Sequence, residues 1–169
     1  MSRFKMRAIT LHHPWAWAVV TLGKDIENRD WQPSRANLTH LAIHGAATPT
    51  TRGNVLRVHQ GFEWIATMFH DHPEVQRVAA MDLEIDRFRA IVKPGICAVF
   101  PWLGVVESSS SPWFVGRYGW RLEDGLILPA PIAATGHQGL WPVPEPQQTQ
   151  IVKLLHAAQN PNPLFGGGS

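Results

Sequence analysis

The chain is short of several things at once, and each shortage closes a possibility. It has a single cysteine, Cys97, so no disulfide can form within it, and a reducing compartment is expected. No stretch approaches the roughly 20 apolar residues of a membrane span, and the first residues carry no apolar segment of signal-peptide length. A cytoplasmic location without a membrane partner is therefore the expectation. Charged residues make up only 17%, with 15 Lys plus Arg against 13 Asp plus Glu. The formal charge of +2 and pI near 9.0 are a mild basic tilt, well short of the dense basic stripe used to wrap duplex DNA. Arg3, Lys5 and Arg7 do cluster ahead of the first apolar run.

What the chain has is apolar mass. A hydrophobic fraction of 44% over 169 residues fits one packed domain, here spanning 1–160, followed by a flexible Gly-rich tail at 161–169. One tyrosine stands against eight tryptophans. Indole is bulky and its N–H needs a partner when buried, so cores favour Leu, Ile and Val instead. Flat rings also stack on nucleobases, and two or three of the eight are expected on a binding wall, the rest in the core.

Arg7 to Leu11 reads as a strand. Pro14 then precedes a helix in which Trp15, Ala18, Val19 and Leu22 share one stripe, closed by Gly23 as a left-handed cap. From Ile26 to Trp31 the side chains alternate, which puts Glu27, Arg29 and Trp31 on one face of a strand. A second strand covers Leu38 to His44. Helical spacing dominates about 50–93, with one helix through Val55, Val58, Phe62, Ile65 and Phe69 and another running on from Pro73 to Phe88. Ile96 to Val106 is a strand run broken at Pro101, as at an edge or bulge. Asp124-Gly125 between two apolar runs is a hairpin signal; a last strand within Gly136 to Val143 and a helix from Gln147 to Ala158 follow. The sum is an α+β chain whose short strands are of antiparallel type, favouring a small β-barrel of five to six strands with surrounding helices and a helical insertion.

Lys24 follows a helix end, and Glu27 and Arg29 lie two apart on the next strand, so the three head groups can converge. An ammonium supplies a point charge or a base, a carboxylate orients an amine or takes its proton, and a guanidinium forks onto carbonyl or phosphate oxygens. The set suits a polar heterocycle or a phosphodiester; by spacing alone a surface ion-pair network is the commoner outcome. His44, beside Gly45, and His137, within Gly136-His137-Gln138-Gly139, are further candidates, as are Arg117 and Tyr118 between Gly116 and Gly119. His70-x-His72 lies in a polar turn before Pro73 and reads as solvated. No metal and no cofactor are expected.

The order His13-Pro14-Trp15-Ala16, then Gly23-Lys24-x-x-Glu27-x-Arg29, then Trp113-Phe114-x-Gly116-x-Tyr118-Gly119-Trp120 resembles the ASCH domain family of the PUA-like superfamily. The likeness covers most of 7–144 and is closest to the domain of the activating signal cointegrator 1 type and small bacterial relatives. It implies a PUA-like barrel with helices at its mouth and a cleft for nucleic acid, RNA before DNA, lined by Lys24, Glu27 and Arg29. His13, Trp15, Trp31 and Trp113 join the expected ligand-binding set with the candidates above. Small amidohydrolases that deacylate acylated cytidine look similar at the lysine but place a threonine nucleophile where Glu27 stands, and a carboxylate would lead to a different chemical path. The alternatives are thus a nucleic-acid or nucleoside binder and a hydrolase, either an amidohydrolase or a ribonuclease, with Lys24 and Glu27 as its catalytic pair. Monomer or weak dimer is the expected state.

Overall fold

In the computed structural model, residues 4–34 and 37–161 are described; Arg3 and the Gly-rich residues 162–169 lie outside them. Strand β1 (Met6–Leu11) shows how alternation builds two cores from one sheet. Met6 and Ala8 face a cluster with Trp141, Ile151 and Leu155, whereas Ile9 and Leu11 face another with Leu41, Phe100 and Trp120. After β1 come α1 (Trp15–Leu22), β2 (Ile26–Arg29), β3 (His40–Gly45) and three helices, α2 (Arg52–Met68), α3 (Pro73–Ala79) and α4 (Glu84–Ile91). Four more strands follow, β4 (Gly95–Pro101), β5 (Val105–Val106), β6 (Tyr118–Arg121) and β7 (Leu126–Ile132), and then β8 (Leu140–Pro142) and α5 (Glu145–Gln159).

The α+β class is as the sequence predicts. Among the described residues the eight strands form two open sheets, β7-β4-β3-β1-β8 and β2-β6-β5, so the expected barrel of five to six strands is replaced by sheets that do not close. They face one another across the cluster that joins Ile9, Ile43 and Phe100 to Trp120 and Leu122. Strand pairing is antiparallel except for β1 with β3, which run parallel with α1 and β2 in the connection between them.

The Asp124-Gly125 signal does not make a hairpin. β6 pairs with β2 and β5, and β7 pairs with β4 in the other sheet. Asp124 adopts the left-handed conformation (φ 57°), but the glycine serves contact between layers. A Cβ at Gly125 would lie 2.3 Å from Phe100 Cδ1, so the turn carries the chain over Phe100 from one sheet to the other. Pro101 likewise ends β4 and does not mark an edge, because β4 lies between β3 and β7. A register shift between Ile96 and Ala98 puts these two residues, of equal parity, into opposite cores.

The helical segment is there, although the run beyond Pro73 is two helices rather than one. The chain breaks after Ala80, Arg87 Nε donates to the Met81 carbonyl at 2.7 Å, and Leu83 starts α4 with Glu84 and Asp86 in its first turn. A third core cluster forms where α2, α3 and α4 meet α1, drawing Trp17, Val58, Ile65, Val75, Ile91 and Trp113 together. That junction positions the site. No helix of the described residues is long and apolar enough to cross a membrane.

Candidate functional site

Helix α1 ends as its sequence dictates: Gly23 takes φ 65°, and the Lys24 N–H turns back to the Ala18 carbonyl at 3.2 Å. This return buries the Lys24 side chain. Its Nζ donates to the Ile26 carbonyl and to Glu27 Oε2, the latter at 2.9 Å. The other Glu27 oxygen, Oε1, takes Arg29 Nη2 at 3.0 Å, and the same Nη2 donates to the Thr10 carbonyl at 3.3 Å. The three head groups therefore form a row, cation, anion, cation, with Glu27 holding one cation on each oxygen. Lys24 and Glu27 are only 4% and 7% exposed. A buried carboxylate is stable there because both oxygens are paired, which makes the surface ion-pair network of the sequence reading inapplicable.

Lys24 and Glu27 lie at one cavity of about 510 Å³, whose walls include Trp15, Trp64 and Trp113. The rings brace one another: Trp15 meets Trp64 edge-on at 5.8 Å, and Trp113 stacks on Phe69 at 4.1 Å. Asn28 fixes the Trp113 loop by donating from Nδ2 to the Trp113 carbonyl at 2.8 Å and accepting the Val115 N–H on Oδ1 at 2.9 Å. Arg57 and Gln60, both exposed on α2, complete the rim.

Arg29 opens elsewhere. It lines a second cavity of about 850 Å³ together with Thr10, His12, His44 and His137. His44 is a framework residue within that wall. Its Nδ1 bonds Thr10 Oγ1 at 3.1 Å, its Nε2 bonds the Ala134 carbonyl at 2.9 Å, and the Thr10 hydroxyl also accepts from Trp141 Nε1. A ring that donates from Nε2 and accepts at Nδ1 is neutral, and burial holds its pKa below the ordinary value, the hydrogen bond to Ala134 partly opposing this. The single cleft expected from sequence is thus two cavities with the Lys24-Glu27-Arg29 row between them.

Four expected residues lie at neither cavity. His13 is 3% exposed, accepts the Lys93 N–H at Nδ1 and bonds the Ala46 carbonyl from Nε2; it ties the β1-α1 turn to the chain around Lys93. Trp31 meets the buried Trp120 edge-on at 4.9 Å, because β2 ends at Arg29 and the alternation that would place Trp31 beside it stops there. Tyr118 is buried in β6 opposite Arg29, and the exposed Arg117 lies over its ring at 4.9 Å. His72 caps α3 by accepting the Glu74 N–H, and the described residues contain no group of three or more His, Cys, Asp or Glu placed to hold a metal.

Sequence reasoning missed Asn28, Arg57, Gln60, Trp64 and His12. The signal for three of them was present: Arg57, Gln60, Gly61 and Trp64 recur at i, i+3, i+4 and i+7, a second stripe beside the apolar one of Val58, Phe62 and Ile65. No protein-family model matches the chain, and no curated protein matches it.

Proposed function

We propose that the tryptophan-walled cavity binds a nucleobase or nucleoside of single-stranded nucleic acid, RNA before DNA, as the ASCH-like pattern implies, and that the two facing sheets are an opened PUA-like barrel. The observation that carries the reading is the buried Lys24-Glu27 pair at a cavity with three aromatic walls. A volume of about 510 Å³ lies within the range of small-ligand sites. Lys24 uses two of its three N–H donors internally, and each Glu27 oxygen retains a lone pair. A donor beside acceptors complements the amine and ring-nitrogen edge of a base such as cytosine, while indole faces offer stacking and Arg57 offers a phosphate contact at the rim.

Quenching of tryptophan fluorescence by short RNA and DNA strands and by free nucleosides tests this. Saturable binding is expected. Trp64→Ala should weaken it by about 1–3 kcal/mol, and Arg57→Ala should lower the salt dependence by about one phosphate contact. Arg57 is exposed, but Trp64 packs against the third core cluster, so thermal unfolding of Trp64→Ala is followed alongside binding to separate lost stacking from lost fold. Absence of saturable binding across the whole panel sinks the proposal.

A hydrolase is the second reading, favoured by the 2.9 Å contact of ammonium and carboxylate. Among the described residues no Ser, Thr or Cys lines this cavity, so attack would come from a water relieved of its proton by Glu27, with Lys24 polarising the carbonyl or phosphoryl oxygen. Incubation with an N4-acylated cytidine and with labelled RNA checks it; product formation equal to a Glu27→Gln control rules it out.

A further inference from the structure

The larger cavity has a chemistry of its own. Its titratable lining is Arg29, His12, His44 and His137, with no Asp or Glu among the described lining residues. The adjoining row carries two cations and one carboxylate, which leaves it with one net positive charge. Arg29 Nη2 is engaged by Glu27 and Thr10, its Nε has no partner, and its side chain is 26% exposed. His12 and His137 are exposed and donate N–H in either charge state.

These donors come from three separate segments, the turn after β1, strand β2 and the loop from β7 to β8. Close approach of that loop depends on Gly136, where a Cβ would lie 2.7 Å from both His44 Cε1 and Thr10 Oγ1. The remaining walls are mostly small and apolar, including Ile9, Ala47 and Pro94, with Thr135 and Gln138 as neutral polar members.

We propose that this cavity is a phosphate-ester site, with Arg29, His12 and His137 holding the phosphate and the apolar walls holding the group it esterifies. Donors arriving from three sides match a tetrahedral oxyanion better than a planar carboxylate, for which two parallel donors suffice. The volume of about 850 Å³ leaves ample room beyond a phosphate for an organic substituent. The ester is either a free monophosphate or one phosphodiester of a strand. This site stands apart from the tryptophan cavity and does not depend on the base-binding reading.

Calorimetry with inorganic phosphate, acetate, a nucleoside 5′-monophosphate, the matching nucleoside and a dinucleotide separates the cases. Inorganic phosphate should bind more tightly than acetate, and the monophosphate more tightly than either phosphate or nucleoside. A dinucleotide that outbinds the monophosphate identifies the phosphodiester as the ester held, and the reverse order the free monophosphate. His12→Ala and His137→Ala should each weaken phosphate about tenfold, the worth of a hydrogen bond to a charged group. Ala47→Glu, on an exposed wall, should weaken it further, whereas Trp64→Ala should leave phosphate binding within about twofold. No binding of phosphate or monophosphate, equal affinity for acetate, or indifference to His12, His137 and Ala47 substitution overturns the proposal, whatever the result at the tryptophan cavity.

Discussion

His13 and His44 each use both ring nitrogens inside the protein, and in each the Nδ1 accepts while the Nε2 donates to a carbonyl. Protonation would turn His13 Nδ1 into a donor facing the Lys93 N–H. Burial is the main force lowering both pKa values, opposed by the carbonyl contacts and aided by neighbouring histidines, His12 and His44 for His13 and His137 for His44. His40 is lowered by burial as well. A histidine whose folded pKa is depressed takes up its proton more readily when unfolded, so the unfolded state binds more protons below the ordinary value of 6.5. Stability should change little between about pH 7 and 8 and should fall as pH drops through and below 6.5. Thermal unfolding across that range measures it; a melting temperature that rises on acidification would contradict the assignment of neutral, acceptor-bearing rings.

Helix α2 joins the core to the site through two neighbouring stripes, one apolar and one made of Arg57, Gln60, Gly61 and Trp64. Gly61 sets how closely the helix approaches α1, since a Cβ there would lie 2.6 Å from Pro14 Cδ and 3.6 Å from Trp15 Cζ2. Gly61→Ala gains about 1 kcal/mol of helix propensity at most but overpacks this contact at a cost of about 1–3 kcal/mol, so net destabilisation is expected. Gly53→Ala is the matched control: nothing lies within 4 Å of a Cβ there, and a gain of a few tenths of a kcal/mol is expected in the first turn. Urea midpoints of the two variants should move in opposite directions. The same helix shows where the sequence became illegible. The cap at Gly23 and the proximity of Lys24 to Glu27 depend on contacts a few residues apart, and local spacing exposes them. The single α1 stripe does not hold: Ala16 and Trp17 are buried with Ala18 and Val19 because α1 packs between two clusters, and Trp15 and Leu22 are only partly buried. Trp64 meets Trp15 only because Gly61 lets two helices far apart in sequence touch, and the Asp124-Gly125 turn serves Phe100, a partner that no local pattern names.

At the scale of the molecule, the charged row is also a join between layers. Glu27 and Arg29 belong to the β2-β6-β5 sheet, and Arg29 reaches the Thr10 carbonyl of β1 in the other sheet. Because no sheet closes on itself among the described residues, contacts of this kind hold the two together beside the shared core of Ile9, Phe100 and Trp120. The members of the row are not equivalent. Removing Lys24 leaves Glu27 paired with Arg29, but removing the Glu27 charge leaves Lys24, 4% exposed, with a carbonyl as its main partner and two cations facing each other across the gap. Breaking a buried pair from one side costs about 3–5 kcal/mol; the low end applies here because Arg29 keeps 26% exposure and water screens it. Glu27→Gln should therefore destabilise more than Lys24→Met. The double variant should lose less stability than the sum of the two single losses, because Lys24→Met removes the very cation that Glu27→Gln strands. Urea unfolding of the four proteins gives the coupling directly, and a Glu27→Gln loss within about 0.5 kcal/mol of the parent, the range of ordinary surface changes, would show that the row does not hold the sheets together.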